Sequence, residues 1–325
     1  MSSAAARSAL RSPLAQVEDD VRAGLAGPDR KWLPSRLLYD DLGSALFDAI
    51  CLLPEYGLTR ADERILERHA ADIAGLLPAP VTIAELGSGS GRKTRWMLEA
   101  LAARQPVTYA PIDISRAALS RCVRDLDRLA GVMVKPVEAD YLAGLAEVTA
   151  SRSEGQPLLL LFLGSTIGNF ERDAAVDFLR DVRRLLQPGD ALLLGTDLMK
   201  PVARLLAAYD DPLGVTAAFD LNLLARINRE LMADFDLSRF EHQARWNAGA
   251  RRIEMHLVSR RTHAVTIRRL GIRVPFFARE TIWTESSHKY TPEESRDIAR
   301  RTGFECVGQW LDEQWPFAES LLVAR

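Results

Sequence analysis

Short apolar runs ending in glycine or an acid, each followed by residues spaced along one face of a helix, recur from Val81 onward. The first, Val81-Thr-Ile-Ala-Glu-Leu86, lacks a polar alternation and predicts a strand buried on both faces. Trp96, Met97, Leu98 and Leu101 predict a helix over 93–103, followed by a strand over 107–112. A helix over 115–129, capped by Ser115, and a third strand over 132–137 come next. Leu158-Leu-Leu-Leu-Phe-Leu163 is apolar throughout and predicts a central strand. Residues 172–186 read as a helix stopped by Gln187-Pro-Gly189, with a fifth strand over 191–194. Strands and helices alternating in this way imply an α/β fold, a doubly wound Rossmann-like parallel sheet.

The pattern then changes. Residues 221–232 have helical spacing, and 240–246, 252–259, 264–267 and 282–290 alternate as strands of an antiparallel meander. A helix over 292–302 capped by Thr291, then strands over 304–311 and 320–324, can complete an edge of the first sheet. The expected division is an N-terminal tail and first helix over 1–28, a sheet domain over 62–199 and 289–325, and a smaller α+β domain over 29–61 and 200–288.

Composition narrows the function classes. Of 325 residues 47% are hydrophobic, enough for a sizeable core, and the net charge of −2 argues for neither nucleic acid nor an anionic membrane as partner. The 3 cysteines form no C-x-x-C, which fits a reducing, cytoplasmic setting. The 5 histidines form no H-E-x-x-H, so no metal is expected. The longest apolar run, Pro157 to Gly164, is too short to span a bilayer. The first 13 residues lack an apolar signal core and read as a tail. A monomer is the expected state.

The candidate chemistry lies at the strand ends. Gly87, Gly89 and Gly91 follow the first strand, where an open sheet binds ligands and glycine permits close backbone approach. The dinucleotide fingerprint requires glycine or alanine three residues after the second glycine; that position is Arg92, and no G-K-[ST] follows. The loop therefore suits a nucleoside without phosphate. Asp113, ending the second strand, can accept two hydrogen bonds from a ribose diol; Asp140 can take an adenine amino group while Tyr141 packs on the base. Glu85 can orient the loop and, through it, a methionine amine. Each acid alone also fits a solvated strand end or a helix cap. Together, at three successive strand ends, they form the layout of a class I methyltransferase using S-adenosylmethionine and releasing S-adenosylhomocysteine.

Longer motifs resemble one family. Leu38-Tyr39-Asp40 to Phe47, Leu53-Pro-Glu-Tyr56 with Thr59-Arg60, the 85–91 loop with Lys93-Thr94, Gly164-Ser-Thr-Ile-Gly-Asn-Phe170, Tyr209-Asp-Asp211, Gly214-Val-Thr216, Asn228-Arg-Glu-Leu231, Ile253-Glu-Met255 and Thr284-Glu-Ser-Ser287 are similar to the ergothioneine-pathway histidine Nα-methyltransferases. The resemblance runs from about Lys31 to the C-terminus. It implies a methyltransferase domain, a second domain holding the amino acid, and three methyl transfers to L-histidine through its mono- and dimethyl forms. Carried over, the cofactor contacts are Tyr56, Gly87, Lys93, Asp113, Asp140 and Tyr141. The amino-acid backbone falls to Tyr56, Gly164, Asn169, Tyr209 and Thr216, with Tyr39 near the methylated nitrogen; Tyr39 and Asn169 are the catalytic candidates. The imidazole falls to Met255, Glu285 and Ser287.

The last group also makes sense from the residues, although without the resemblance Glu285 and Ser287 fit an exposed strand face as well. In a strand Trp283, Glu285 and Ser287 share a face, and a carboxylate and a hydroxyl two residues apart can bond the two nitrogens of one imidazole. Met255 offers a soft apolar wall, or is ordinary core. The family often has Tyr-Tyr-Pro-Thr-Arg where this chain has Tyr56-Gly57-Leu58-Thr59-Arg60, which changes the loop over the site. Two rivals stand beside the main reading: an Nα-methyltransferase of another aromatic amino acid such as tryptophan, and a noncatalytic S-adenosylmethionine sensor. An indole, with one N–H and more bulk, would call for an apolar residue in place of Glu285. A dehydrogenase fails at Arg92.

Overall fold

The structure is a computed structural model describing residues 12–27, 30–153 and 155–325. The expected tail therefore lies, up to residue 11, outside the described residues. The chain forms two compact units: Tyr56–Pro201 with Ser287–Arg325, and Val202–Ser286 with the chain up to Glu55.

The first unit is built on an eight-stranded sheet. Thr82–Leu86 lies between Val107–Asp113 on one side and Leu158–Phe162 on the other, parallel to both. Ala191–Asp197 extends the sheet beyond Leu158–Phe162, and the antiparallel hairpin Phe304–Asp312/Phe317–Ala324 closes that edge. The chain reverses its direction of travel across the sheet beside Thr82–Leu86, so this strand's carboxyl end is the switch point where such sheets bind ligands.

Period-two alternation splits the core into two layers. Leu158, Leu160 and Phe162 face one layer with Val176, Leu179 and Val182 of helix Arg172–Leu185. Leu159 and Leu161 face the other, with Met97, Leu98 and Leu101 of helix Arg95–Ala102 and Cys122 and Leu126 of helix Arg116–Leu126. The continuous leucine run is thus required by burial on both sides. Ser115 caps its helix as expected, and Thr291 forms a full capping box with Glu294 at the start of helix Pro292–Arg301.

The expected third strand is two pieces, Val132–Val134 and Val137–Glu138, both pairing with Val107–Asp113. The break falls at Pro136, which has no N–H for the ladder. Helix Tyr141–Ser151 was not foreseen, because Asp140-Tyr141 reads as a ligand motif and hides a helix start.

The second unit carries a four-stranded sheet in the order Lys31–Trp32, Thr281–His288, Arg252–Ser259, Phe240–Asn247. It is not the continuous meander expected. His263–Ile267 pairs instead with Ile272–Phe276 in a separate antiparallel hairpin. Pro275 masks that second strand in the sequence, and a two-stranded ribbon tolerates it because all its strands are edges. The helix expected from Leu221 begins at Val215, because the Asp211 carboxylate accepts the N–H groups of Val215 and Thr216 at 3.1 and 2.7 Å.

Asp190 ties the amino ends of two central strands together. It accepts Arg152 Nη1 at 2.7 and 2.8 Å, Leu158 N at 2.9 Å and Gln187 N at 2.7 Å, with both charged side chains buried. Asp190→Ala leaves the guanidinium unpaired, and urea unfolding should show a loss of about 3–5 kcal/mol.

Candidate functional site

The glycine loop is shaped by its backbone. Gly87, Gly89 and Gly91 have φ of 67°, 53° and 68°, the left-handed region that glycine enters without strain. Two of them are also needed for space. A Cβ on Gly87 would lie 3.0 Å from the Tyr141 hydroxyl, and one on Gly91 2.8 Å from Cys122 Sγ. The Asp113 carboxylate spans the loop and its own turn, accepting Gly89 N at 3.2 Å and Ser115 N at 2.9 Å. Burial raises Asp113 above the usual aspartate range, against the pull of these N–H groups. Both oxygens accept backbone N–H groups, and a carboxylate with about four lone-pair sites keeps acceptor capacity for a diol. Asp140 caps its helix by accepting Ala143 N through Oδ1 at 2.9 Å. The helix-cap role and a base-binding role are thus compatible in one carboxylate. Tyr141 packs edge-on against Phe162 and Phe178, which holds its ring over Gly87.

Beneath the loop Glu85 is buried, accepting hydrogen bonds from the hydroxyls of Thr94 (2.7 Å) and Tyr109. Burial pushes its carboxyl up to about 7 despite these donors. Lys93 does not reach solvent freely, because its ammonium pairs with Asp62. Burial opposes its charge, but Asp62 outweighs that and holds Lys93 above the usual lysine range. The same Asp62 oxygen accepts Gly164 N at 2.9 Å, so one carboxylate fixes both a cofactor candidate and the residue after the fourth strand. Glu319 sits nearby, driven well above the usual range by burial and then by Asp62's charge. Asp62 and Glu319 escaped the sequence reading. Their signal was an acid on an apolar stripe: Leu58, Ala61, Asp62, Ile65 and Leu66 are the buried face of helix Leu58–Gly75, and Glu319 interrupts the apolar strand Phe317–Ala324.

Gly164 and Ser165 are both left-handed, with φ of 70° and 58°. For serine this conformation costs on the order of 1 kcal/mol, and the Ser165 hydroxyl offsets it by accepting Asp197 N at 2.8 Å. The turn leads into Thr166–Asn169, which places Asn169 at the carboxyl side of the sheet. Asp197 ends the fifth strand with no solvent access. It binds the ammonium of Lys200 at 2.5 Å, that of Lys289 at 2.8 Å and the Trp315 indole N–H at 3.0 Å. Lys289 in turn donates to the Ser287 hydroxyl at 2.8 Å. Trp315 also accounts for the departure at Gly57, where a Cβ would lie 2.3 Å from its ring. Gly57 is the cap of helix Leu58–Gly75, so the segment is a helix start and not the changed loop expected. Tyr56, just before it, is buried.

The other candidates, apart from Ser287 at the start of the first unit's last segment, belong to the second unit. Tyr39 packs edge-on against Phe47 and Phe219, with ring centroids 5.6 Å away in each case. Tyr209 ends helix Val202–Tyr209, and its carbonyl is held by His242 Nε2 at 2.7 Å while Nδ1 meets Asp220 at 2.7 Å. A carbonyl and a carboxylate both accept, so both ring nitrogens carry protons. Burial disfavours that cation, but Asp220 outweighs it and lifts His242 above the usual histidine range. Thr216 lies in the first turn of its helix, and Met255 is buried in Arg252–Ser259. Glu285 and Ser287 lie two apart on Thr281–His288. The Glu285 carbonyl accepts the Trp283 indole N–H at 2.9 Å, and the guanidinium groups of Arg30 and Arg252 pack on that indole.

Among the described residues no cluster of acids, cysteines and histidines is placed to hold a metal, and no helix is long and apolar enough to cross a membrane. The sheet, its glycine cradle and the strand-end acids define a class I S-adenosylmethionine-dependent methyltransferase. A family model described as histidine-specific, S-adenosylmethionine-dependent methyltransferase matches residues 17–324, and the chain belongs to that family. It is 42% identical over 304 residues to a histidine N-alpha-methyltransferase of Mycobacterium tuberculosis, covering 93% of each chain. It is 32% identical to ergothioneine biosynthesis protein 1 of Neurospora crassa, over 86% of this chain and 32% of that one. It is also 30% identical to an L-tryptophan methyltransferase of Psilocybe serbica, over 89% of this chain and 87% of that one.

Glu85 gives the site a measurable pH signature. Its value in the folded protein, about 7, lies above the usual 4.5, so its contribution to stability is complete below 4.5 and is lost as pH rises through about 7. Comparing melting temperatures from pH 4.5 to 7.5, the wild type should lose more stability than Glu85→Gln, by about 3 kcal/mol at most.

Proposed function

We propose that this enzyme methylates the α-amine of L-histidine three times, giving hercynine in ergothioneine synthesis. The observation that carries the reading is a carboxylate and a hydroxyl, Glu285 and Ser287, two residues apart on one strand of a chain that also has the full nucleoside cradle. Bound S-adenosylmethionine supplies an electrophilic methyl group. On this reading Asp113 holds the ribose diol, Asp140 and Tyr141 the adenine, and Lys93 and Tyr56 the amino-acid end of the cofactor. The tight approach of Gly87 to the Tyr141 hydroxyl supports that fit, since a Cβ there would fill the cradle.

On the acceptor side, Tyr56, Gly164, Asn169, Tyr209 and Thr216 hold the histidine backbone. Asp62 takes the Gly164 N–H, so Gly164 offers its carbonyl. Met255, Glu285 and Ser287 take the ring. The nucleophile is the neutral amine, and each transfer leaves a more substituted cation. Aromatic faces such as Tyr39, Tyr56 and Tyr209 accept such a cation at roughly 0.5–2 kcal/mol per contact. The departing proton leaves to solvent along a route of water and the Tyr39 hydroxyl, which accepts one proton as it passes on its own; an unchanged pH–rate profile and product distribution in Tyr39→Phe would count against that role. The same reading makes the protein a cytoplasmic monomer acting on free histidine and its mono- and dimethyl forms, without nucleic acid. The free thiols of Cys51, Cys122 and Cys306 suit a reducing compartment.

The likeness to a tryptophan methyltransferase keeps one rival in the test. Purified protein incubated with S-adenosylmethionine and all amino acids should yield trimethylated histidine by mass. Methylated tryptophan, or no product despite cofactor binding, would refute the reading. Glu285→Ala should weaken use of histidine by about 1.5–3 kcal/mol, read as kcat/KM, while the cofactor Kd stays unchanged.

A further inference from the structure

Three buried carboxyls and one ammonium meet beneath the glycine loop of the first unit. Asp62, Glu85 and Glu319 are all within 1% of complete burial, and Lys93 is the cation that faces them. Glu85 is supplied by the Thr94 and Tyr109 hydroxyls. One Asp62 oxygen, Oδ2, takes both the Lys93 ammonium and the Gly164 N–H. Asp62 Oδ1 and both Glu319 oxygens are buried, and among the described residues no N–H or other O–H reaches them. Yet the Glu319 carboxyl lies within hydrogen-bonding range of Asp62. Two carboxylates offer each other only acceptors, whereas an acid and a carboxylate form one strong hydrogen bond. We propose that Glu319 is a positioning residue of the cofactor cradle: it is kept as a carboxylic acid whose O–H donates to Asp62 Oδ1, leaving Oδ2 to hold Lys93 and Gly164. The inference rests on the reading that Lys93 meets the amino-acid end of S-adenosylmethionine.

The proton belongs on Glu319 and not on Asp62. Asp62 already has an ammonium and a backbone N–H to stabilise its charge, and Glu319 has neither. Burial and then the Asp62 charge drive Glu319 well above the usual glutamate range, and the Lys93 charge does not offset them. The fold also makes room for the contact. Gly195 lies opposite Glu319 on the neighbouring strand Ala191–Asp197. A Cβ there would stand 2.7 Å from Glu319 Oε1 and 3.2 Å from the Gly164 nitrogen that Asp62 binds. The glycine thus lets the Glu319 side chain lie over the strand toward Gly164. An ionised Glu319 would be a second claimant on one ammonium. It would draw Lys93 away from Asp62 and set two like charges side by side in a low-dielectric interior. Charges on the adjoining elements are already engaged: Arg64 with Asp312, Arg92 with Glu63, and Lys200 and Lys289 with Asp197. Opposite Glu319 on Phe304–Asp312 stands Trp310, which carries no charge.

The test is Glu319→Gln, whose amide N–H can donate to Asp62 in the same shape but never ionises. Urea unfolding of the cofactor-free protein is followed from pH 5 to 8. A carboxyl raised on folding gives its full stability below about 4.5 and loses it as pH climbs toward the folded value. The wild type should therefore lose about tenfold in folding equilibrium constant per pH unit relative to the variant, and the urea midpoints should diverge in the variant's favour. Glu85 titrates in both proteins and cancels. A glutamate ionised and paired with Lys93 predicts the reverse, a variant less stable throughout, and that result would overturn the proposal. The positioning role is read from the S-adenosylmethionine Kd at pH 7.5. Glu319→Gln should stay within about twofold of wild type, while Glu319→Leu, which leaves Asp62 Oδ1 without a donor, should bind about tenfold more weakly. Equal weakening in both variants would overturn the role. If the leucine variant does not fold, about a tenfold loss in Glu319→Gln overturns it alone. Lys93→Met with an unchanged Kd would instead sink the reading of Lys93 as a cofactor contact, a result on which the urea series does not depend.

Discussion

A carboxylate without access to water organises the carboxyl side of the fifth strand. Burial alone would neutralise Asp197, yet the Lys289 and Lys200 ammoniums reverse the balance and hold it below the usual aspartate range. Removing one member of such a group leaves a charge in a low-dielectric interior, so the arrangement is kept together or lost together. Its reach is long. Through the backbone it receives the Ser165 turn, through the indole it fixes Trp315, and through Lys289 it orients Ser287.

The same device recurs around the cofactor loop. Asp62 joins Lys93 to Gly164, Glu85 collects two hydroxyls, and Asp113 gathers two backbone N–H groups. These groups hold one another in place through hydrogen bonds and ion pairs within the protein. Methyl transfer offers a protein few covalent tasks, so its contribution is alignment, and fixed polar groups supply alignment with little reorganisation. The desolvation of these acids is offset by the packing of both sheet faces, where the leucine runs bury continuous apolar surface.

The sheet was legible because its signals are local. Leu158-Leu-Leu-Leu-Phe162 admits few readings, and the acids Asp113 and Asp140 stand at the ends of successive strands as expected. What stayed hidden depends on pairing or on burial. The hairpin partner Ile272–Phe276 was masked by Pro275, and helix Tyr141–Ser151 by the ligand motif at its cap. Asp62, Glu319, Asp197 and Lys289 read in a sequence as ordinary charges. Only their burial against one another gives them a role, and residues distant along the chain meet there. His242 is similar: nothing near it in the sequence indicates that it holds the Tyr209 carbonyl.

The contact between Gly57 and Trp315 has a consequence for how this branch of the family can vary. The indole occupies the volume that a side chain at position 57 would need, and it is anchored from behind by Asp197. The two positions therefore constrain one another in this chain. A relative's bulky residue transplanted at 57 alone meets an immovable ring, whereas the same exchange made together with position 315 is sterically permitted. Substitutions at these sites, more than 250 residues apart (57 and 315), should therefore be non-additive: a change at one alters what the other can hold.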